Sequence, residues 1–199
     1  MSIRPESRTN AETILGSIIY FVADGTALGS EDKTSSLHTT PTADEARTHG
    51  KCLGMVKSWK WNTEYRTLTK EGVNPATQQY EKHDVKVLDK VKPNFTTQDI
   101  TPEAYMLEHG LAELPAIGES TRPFANARGT LRGHIVIVEV DSYRTHGEDG
   151  ELASVTLRGD LGLAESSENN GELKEVNYEF SVTSFPADGF RNIAIDSTL

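Results

Sequence analysis

The chain has 199 residues, 36% of them hydrophobic and 7% aromatic, enough for one domain with a modest core. Thirty acids against 20 bases give a net charge of −10, a balance that argues against a protein gripping nucleic acid by its phosphates. The longest apolar runs, Ile18 to Ala23 and Ile135 to Val138, fall far short of the ~20 residues of a membrane helix, and a single cysteine, Cys52, excludes an intramolecular disulfide framework.

Residues 1–12 read as a polar arm without the apolar stretch of a secretory signal, which predicts synthesis and function without secretion. Ile14 to Val22 is β-branched and aromatic and predicts a strand, closed by the turn pair Asp24-Gly25. Residues 24–50 are dominated by small polar residues and predict a long loop with a short helical turn at Thr42 to Thr48, a length uncommon in a compact domain unless the loop is functional or orders on a partner. Leu53 to Trp61 predicts the next strand, with Met55, Lys57, Trp59 and Trp61 on one face and Val56, Ser58 and Lys60 on the other. Residues 62–82 keep neither period and read as an oversized polar hairpin tip. Val85, Val87 and Val91, alternating with Lys86, Lys90 and Lys92, then give the return strand.

Phe95 to Ile100 continues as strand. Thr101-Pro102-Glu103 opens a short helix, with Thr at the N-cap, Pro at the first helical position and an acid in the first turn; Gly110 closes it. Residues 112–129 read as loop. Leu131 to Val140 is apolar on both faces and predicts a central strand, and Glu151 to Leu161 follows through the turn HGEDG. Leu173 to Phe185 alternates most regularly, with Val176, Tyr178, Phe180 and Val182 on one side and Glu175, Asn177, Glu179, Ser181 and Thr183 on the other. Phe190 to Ile195 reads as an edge strand or arm. The whole is mainly β: a sandwich or barrel of six to eight strands with one short flanking helix, in one domain spanning 1–199.

Motifs that carry chemistry are missing from the sequence. The six histidines never pair at HxH, HxxxH or HExxH spacing, and no GxSxG, P-loop or GxGxxG occurs. His134 reads as a satisfied sheet histidine. His146 and the acids Glu148, Asp149 and Glu151 share one solvated turn, where a glycosidase needs two carboxylates facing across a cleft. Trp59 and Trp61 fit core packing, with a sugar-stacking platform as the alternative. The expectation is a protein with no catalytic residues, no cofactor and no metal. Charge, by contrast, is segregated. Residues 51–92 hold nine bases and five acids, whereas residues 131–199 hold five bases and thirteen acids, so two copies can meet head to tail.

The strand, long-tipped hairpin and strand leading into the short helix of TTQDITPEAYMLEHGL, with the acidic region and the closing strand LKEVNYEFSVTSF, resemble the tail tube proteins of long-tailed bacteriophages and the inner tubes of contractile injection systems. The resemblance is one of layout over residues 14–196. It implies a subunit of stacked, usually hexameric rings around a β-barrel lumen through which DNA passes during genome delivery. Its partners would be further copies of itself, the tape measure, tail terminator and baseplate or tip proteins, and a sheath where the tail contracts. Its place would be the virion tail, assembled in the host bacterial cytoplasm, with no membrane contact. On this reading Glu175, Asn177, Glu179, Ser181 and Thr183 are the candidate lumen face, a negative wall that DNA would not stick to, although the solvent side of a sandwich fits that row equally. Tyr65, Arg66, Lys70, Glu71 and Asn74 are the candidate inter-ring loop. Lys57, Lys60, Lys86, Lys90 and Lys92 are the candidate bases meeting a neighbour's acids. The alternatives are another virion β-protein, such as a capsid decoration or tail terminator subunit, and a carbohydrate-binding sandwich using Trp59 and Trp61.

Overall fold

A computed structural model describes residues 14–29, 33–98, 101–125, 129–141, 151–165 and 175–193. The polar arm 1–12, the HGEDG turn with His146, Glu148 and Asp149, and the ends of the predicted strands at 98–100, 173–174 and 194–195 lie at or beyond the edges of these segments. Seven strands occur among the described residues: β1 (Ile14–Ala23), β2 (Lys51–Val73), β3 (Tyr80–Thr97), β4 (Leu131–Asp141), β5 (Glu151–Leu163), β6 (Val176–Ser184) and β7 (Phe190–Asn192). Helix α1 (Ala43–His49) lies between β1 and β2, and α2 (Pro102–Glu108) between β3 and β4. The fold is mainly β, as the sequence predicts, with two short helices rather than one.

All pairings are antiparallel, in the order β4-β1-β2-β3-β6-β5-β7, and β4 also pairs with β5 so that the sheet rolls over onto itself. The alternation of β1 and β4 explains the roll. Ile19, Phe21, Ile135 and Ile137 point inward with Leu53, Phe95, Leu157, Leu161, Tyr178 and Phe180, and α2 adds Ala104 and Leu107 to this core. The opposite side chains, Val22, Val136 and Val138, form a second core with Leu28, Ala43 and Ala46. Strand β4 is therefore buried on both faces, which is why its sequence is apolar throughout. Gly159 lets β5 and β6 approach: a Cβ there would stand 2.1 Å from the Ser181 carbonyl oxygen.

The second core corrects the reading of residues 24–50 as a long loop. Its described parts already cover the β1–β4 outer face. Helix α1 starts at a capping box in which Thr42 Oγ1 accepts from the Glu45 N–H and Glu45 accepts from the Thr42 N–H, so Ala43 and Ala46 face the sheet. Beside it, Arg158 donates to both Asp24 oxygens at 2.8 and 2.7 Å, and Ser35 Oγ lies 3.0 Å from His134 Nδ1. Arg47 of α1 pairs with Glu151 of β5. A handful of small side chains is enough because polar clasps, as well as apolar area, fix the cover.

Two bulges reset the strand faces. Val56 pairs with Thr97 and Ser58 with Thr96, so Lys57 is the extra residue on β2; Glu64 pairs with Lys90 and Tyr65 with Leu88, so Asp89 is the extra residue on β3. Val56 and Trp59 consequently pack against the same core, against the prediction that they face apart. Likewise Val91 is buried, while Val85 and Val87 lie on the opposite face and are exposed.

His134 is 1% exposed and neighbours Arg158 across the β4–β5 pair. Burial, reinforced by the Arg158 charge and only partly opposed by Asp24, pushes its pKa down to about 4. Because the unfolded imidazole takes its proton near 6.5, stability is fully present above that value and is lost as pH falls through about 4. The expected loss is about 3 kcal/mol. Urea midpoints measured from pH 7.5 to 4 should fall more steeply for the wild type than for His134→Gln; parallel curves would contradict the assignment.

Candidate assembly surface

Strand β2 runs for 23 residues, yet its pairing with β1 involves only Lys51, Cys52 and Met55. Strand β3 runs for 18 residues and pairs with β6 only over Asn94 to Thr97. Beyond those roots the two strands pair with each other from Asn62–Lys92 out to Val73–Tyr80, with no third strand beside them among the described residues. At roughly 3.3 Å per residue this ribbon projects about 40 Å. Every residue from Thr63 to Val73 and from Lys82 to Lys90 is exposed.

The predicted tip loop 62–82 is thus mostly strand, and the connection is only residues 74–79. Tyr65, Arg66, Lys70 and Glu71 sit on β2 itself; of the candidate inter-ring residues only Asn74 lies in the turn. The turn is built around that asparagine. Its N–H donates to Gln79 O and its carbonyl accepts from the Gln78 N–H, both at 2.8 Å, and its side chain accepts from the Ala76 N–H and donates to Glu81 at 2.9 Å. Residues 62–73 show no inside–outside alternation because neither face is buried. The signal that identifies them is conformational preference, in the row Thr63, Tyr65, Thr67, Thr69 and Val73.

Cross-strand contacts brace the ribbon. Glu64 pairs with Lys90 and Glu71 with Lys82, both at 3.5 Å, Thr69 donates to Asp84 at 2.7 Å, and the Tyr80 hydroxyl donates to Glu71 at 2.6 Å. That last bond raises the Tyr80 pKa, while Asn74, and secondarily His83, lower that of Glu81. Exposed ion pairs of this kind contribute little, and an isolated two-stranded hairpin is marginal in water. The ribbon nonetheless displays Trp61, Tyr65, Leu68, Val73, Tyr80, Val85, Val87 and Leu88 to solvent, and from Thr63 to Val73 and Tyr80 to Lys90 its outer edges meet no third strand among the described residues.

The candidate lumen row lies on the outward face of β6, opposite Val176, Tyr178 and Phe180. Its charge differs from the negative wall expected. Glu179 accepts from Lys92 at 2.9 Å, Glu175 pairs with Lys57 and also accepts from Gln98 at 3.4 Å, and Asn177 accepts from Thr96 at 2.6 Å. The Lys57 ammonium, and then Gln98, hold the Glu175 carboxyl below its ordinary range, and Glu179 raises Lys92. Ser181 and Thr183 extend the row, the latter donating to Arg158 O at 3.4 Å. The face is polar and nearly balanced. It also accounts for two of the five candidate bases, Lys57 and Lys92; Lys90 pairs with Glu64 on the ribbon, while Lys60 and Lys86 are exposed and form no ion pair with a described residue.

No family model and no curated protein matches the chain.

Trp59 packs against the core and meets Trp61 edge-on, with centroids 5.2 Å apart at 74°, leaving Trp61 40% exposed. A single half-covered indole is a poor sugar platform. Among the described residues no three His, Cys, Asp or Glu side chains converge as a metal site, and no helix is long and apolar enough to cross a membrane. Cys52 is an exposed strand residue at the root of β2.

Hydrogen exchange separates a ribbon that stands alone from one that is covered. In dilute protein, amides of residues 63–73 and 80–90 should exchange at least tenfold faster than those of 133–138, and should slow when concentration drives association. Full protection of the ribbon in a monomer would refute its dependence on a partner.

Proposed function

We propose that this chain is a structural subunit that assembles with copies of itself into the stacked rings of a phage-type tail tube, a conduit for DNA. The observation that carries the reading is the β2–β3 ribbon. A projection of about 40 Å with edges that meet no third strand among the described residues, and with eight exposed large hydrophobics, costs a monomer ordering entropy and solvent contact without return. A partner that supplies strands and apolar surface removes both penalties, and identical subunits are the economical source. The resemblance of layout read from the sequence over residues 14–196 is the second support for this reading.

The contiguous outward face of β2, β3 and β6 suits a lumen wall. Lys57 and Lys92 are each tied to a glutamate, which leaves Lys60 as the one base of this face without an ion pair to a described residue, so little counterion release holds DNA in place. Passage then follows from neutralised polarity rather than from the repulsion first expected of an acidic row. The work of the subunit is mechanical, with the tape measure, terminator and tip proteins as further partners at the ends of the tube and the virion tail as its place. No catalytic step is assigned to any residue.

Concentrated protein examined by negative-stain microscopy and sedimentation should form rings or tubes, with growth accelerated by tail-tip complexes. Strict monomers at high concentration with tips present would sink the proposal. Discrete particles that never elongate would point instead to a terminator or decoration subunit.

A further inference from the structure

The segment after α2 carries a second exposed apolar surface, remote in sequence from the ribbon. Tyr105 on α2 stacks against His109 with centroids 6.0 Å apart, and Phe124 is fixed beside them by its N–H, which donates to His109 O at 2.7 Å. Phe124 has φ +56, a left-handed backbone that bulky residues rarely adopt. Gly110 makes room for it: a Cβ there would lie 2.9 Å from Phe124 Cα. The phenyl ring is nevertheless 74% exposed, and Ile117 in the same loop is fully exposed. Backbone strain that holds an aromatic side chain in water, rather than in a core, marks a surface shaped for contact. The segment is also acidic, since residues 101–125 hold four glutamates against one arginine, with Glu113 and Glu119 exposed.

One face of the ribbon has the complementary character. The register sets Arg66 opposite Val87, Leu68 opposite Val85 and Lys70 opposite His83, so these six side chains share a face. Leu68, Val85 and Val87 form its apolar middle, and Arg66 and Lys70, which make no ion pair with a described residue, flank it. The other face places polar pairs, Thr67–Lys86, Thr69–Asp84 and Glu71–Lys82, between its apolar ends.

We propose that the Arg66–Leu68–Lys70 face of the ribbon docks on the Tyr105–Phe124 platform of a second copy, apolar middle against the aromatic rings and cations toward Glu113 and Glu119. The proposal rests on the self-assembly reading, which supplies the second copy. The donor face and the acceptor platform are different surfaces, so each added subunit leaves one of each unfilled. That is the head-to-tail geometry that continues through many copies instead of stopping at a dimer.

Cysteine cross-linking tests the contact. In a Cys52→Ser background, Leu68→Cys combined with Ile117→Cys should give a ladder of covalent multimers when assembled protein is oxidised with diamide, and neither single variant should. Reversing Arg66→Glu and Lys70→Glu should slow assembly at least tenfold, and adding Glu113→Lys and Glu119→Lys in the same chain should restore it. Circular dichroism on each variant separates lost contact from lost fold. Tubes that form without a ladder, and that ignore the charge reversals, would overturn this contact while leaving the tube intact. Wild-type protein that never assembles would overturn both.

Discussion

Strands β2 and β3 are anchored in the sheet at one end and unsupported at the other. At the root they join β1 and β6 and help close the interior around Leu53 and Phe95; outward, among the described residues, each strand pairs with the other. A two-stranded ribbon satisfies only one edge of each strand by its own pairing, and its side chains from Thr63 to Val73 and Lys82 to Lys90 are exposed. The rest of the chain can be understood as a foundation stiff enough to hold it. A rolled sheet packed on one side by α1 and closed within by α2 transmits a fixed direction to the ribbon in a way that an open sheet would not.

That stiffness is obtained with little apolar material. Beneath α1 the second core relies on two alanines and one leucine from the covering segment, and the paired groups Arg158–Asp24, His134–Ser35 and Arg47–Glu151 complete the attachment. Buried charge is tolerable here because Arg158 is met by both oxygens of Asp24. The same logic recurs on the outside of β3 and β6. There lysines and glutamates from strands far apart in sequence cancel, which leaves a wall that is hydrophilic without strong charge.

Much of the fold was legible because burial imposes periodicity. The two-sided apolarity of Ile135 to Val138, the alternation through Tyr178 and Phe180 and the Thr101-Pro102 helix start all reflect surroundings that repeat every residue or every second one. The ribbon escaped because solvent on both faces imposes no period, so Thr63 to Thr69 could be recognised only by β-preference. The charge of the Glu175–Thr183 row was misread for a different reason. Glu175 and Glu179 are visible in the sequence, but Lys57 and Lys92 reach them only once β6 pairs with β3 across more than eighty residues of chain. The covering role of residues 24–50 was hidden by composition, since polar clasps look like loop until their partners are known. The Phe124 surface was missed because its exposure depends on a backbone twist and a neighbouring glycine, neither of which leaves a pattern.

The bulge at Asp89 behaves like a frameshift in a two-letter code. Because strand side chains alternate strictly, one extra residue exchanges inside for outside along everything beyond it. Val91 stays with the core, whereas Val87 and Val85, which share its parity in the sequence, are handed to the opposite surface. Which face of the ribbon is greasy and which is polar is therefore encoded by a count of residues as much as by their kinds. Along such a strand, a single insertion or deletion near the root can exchange the two surfaces without altering one side chain beyond it. Evolution can thus re-aim the ribbon at a different neighbour in one step that no series of conservative substitutions would reproduce.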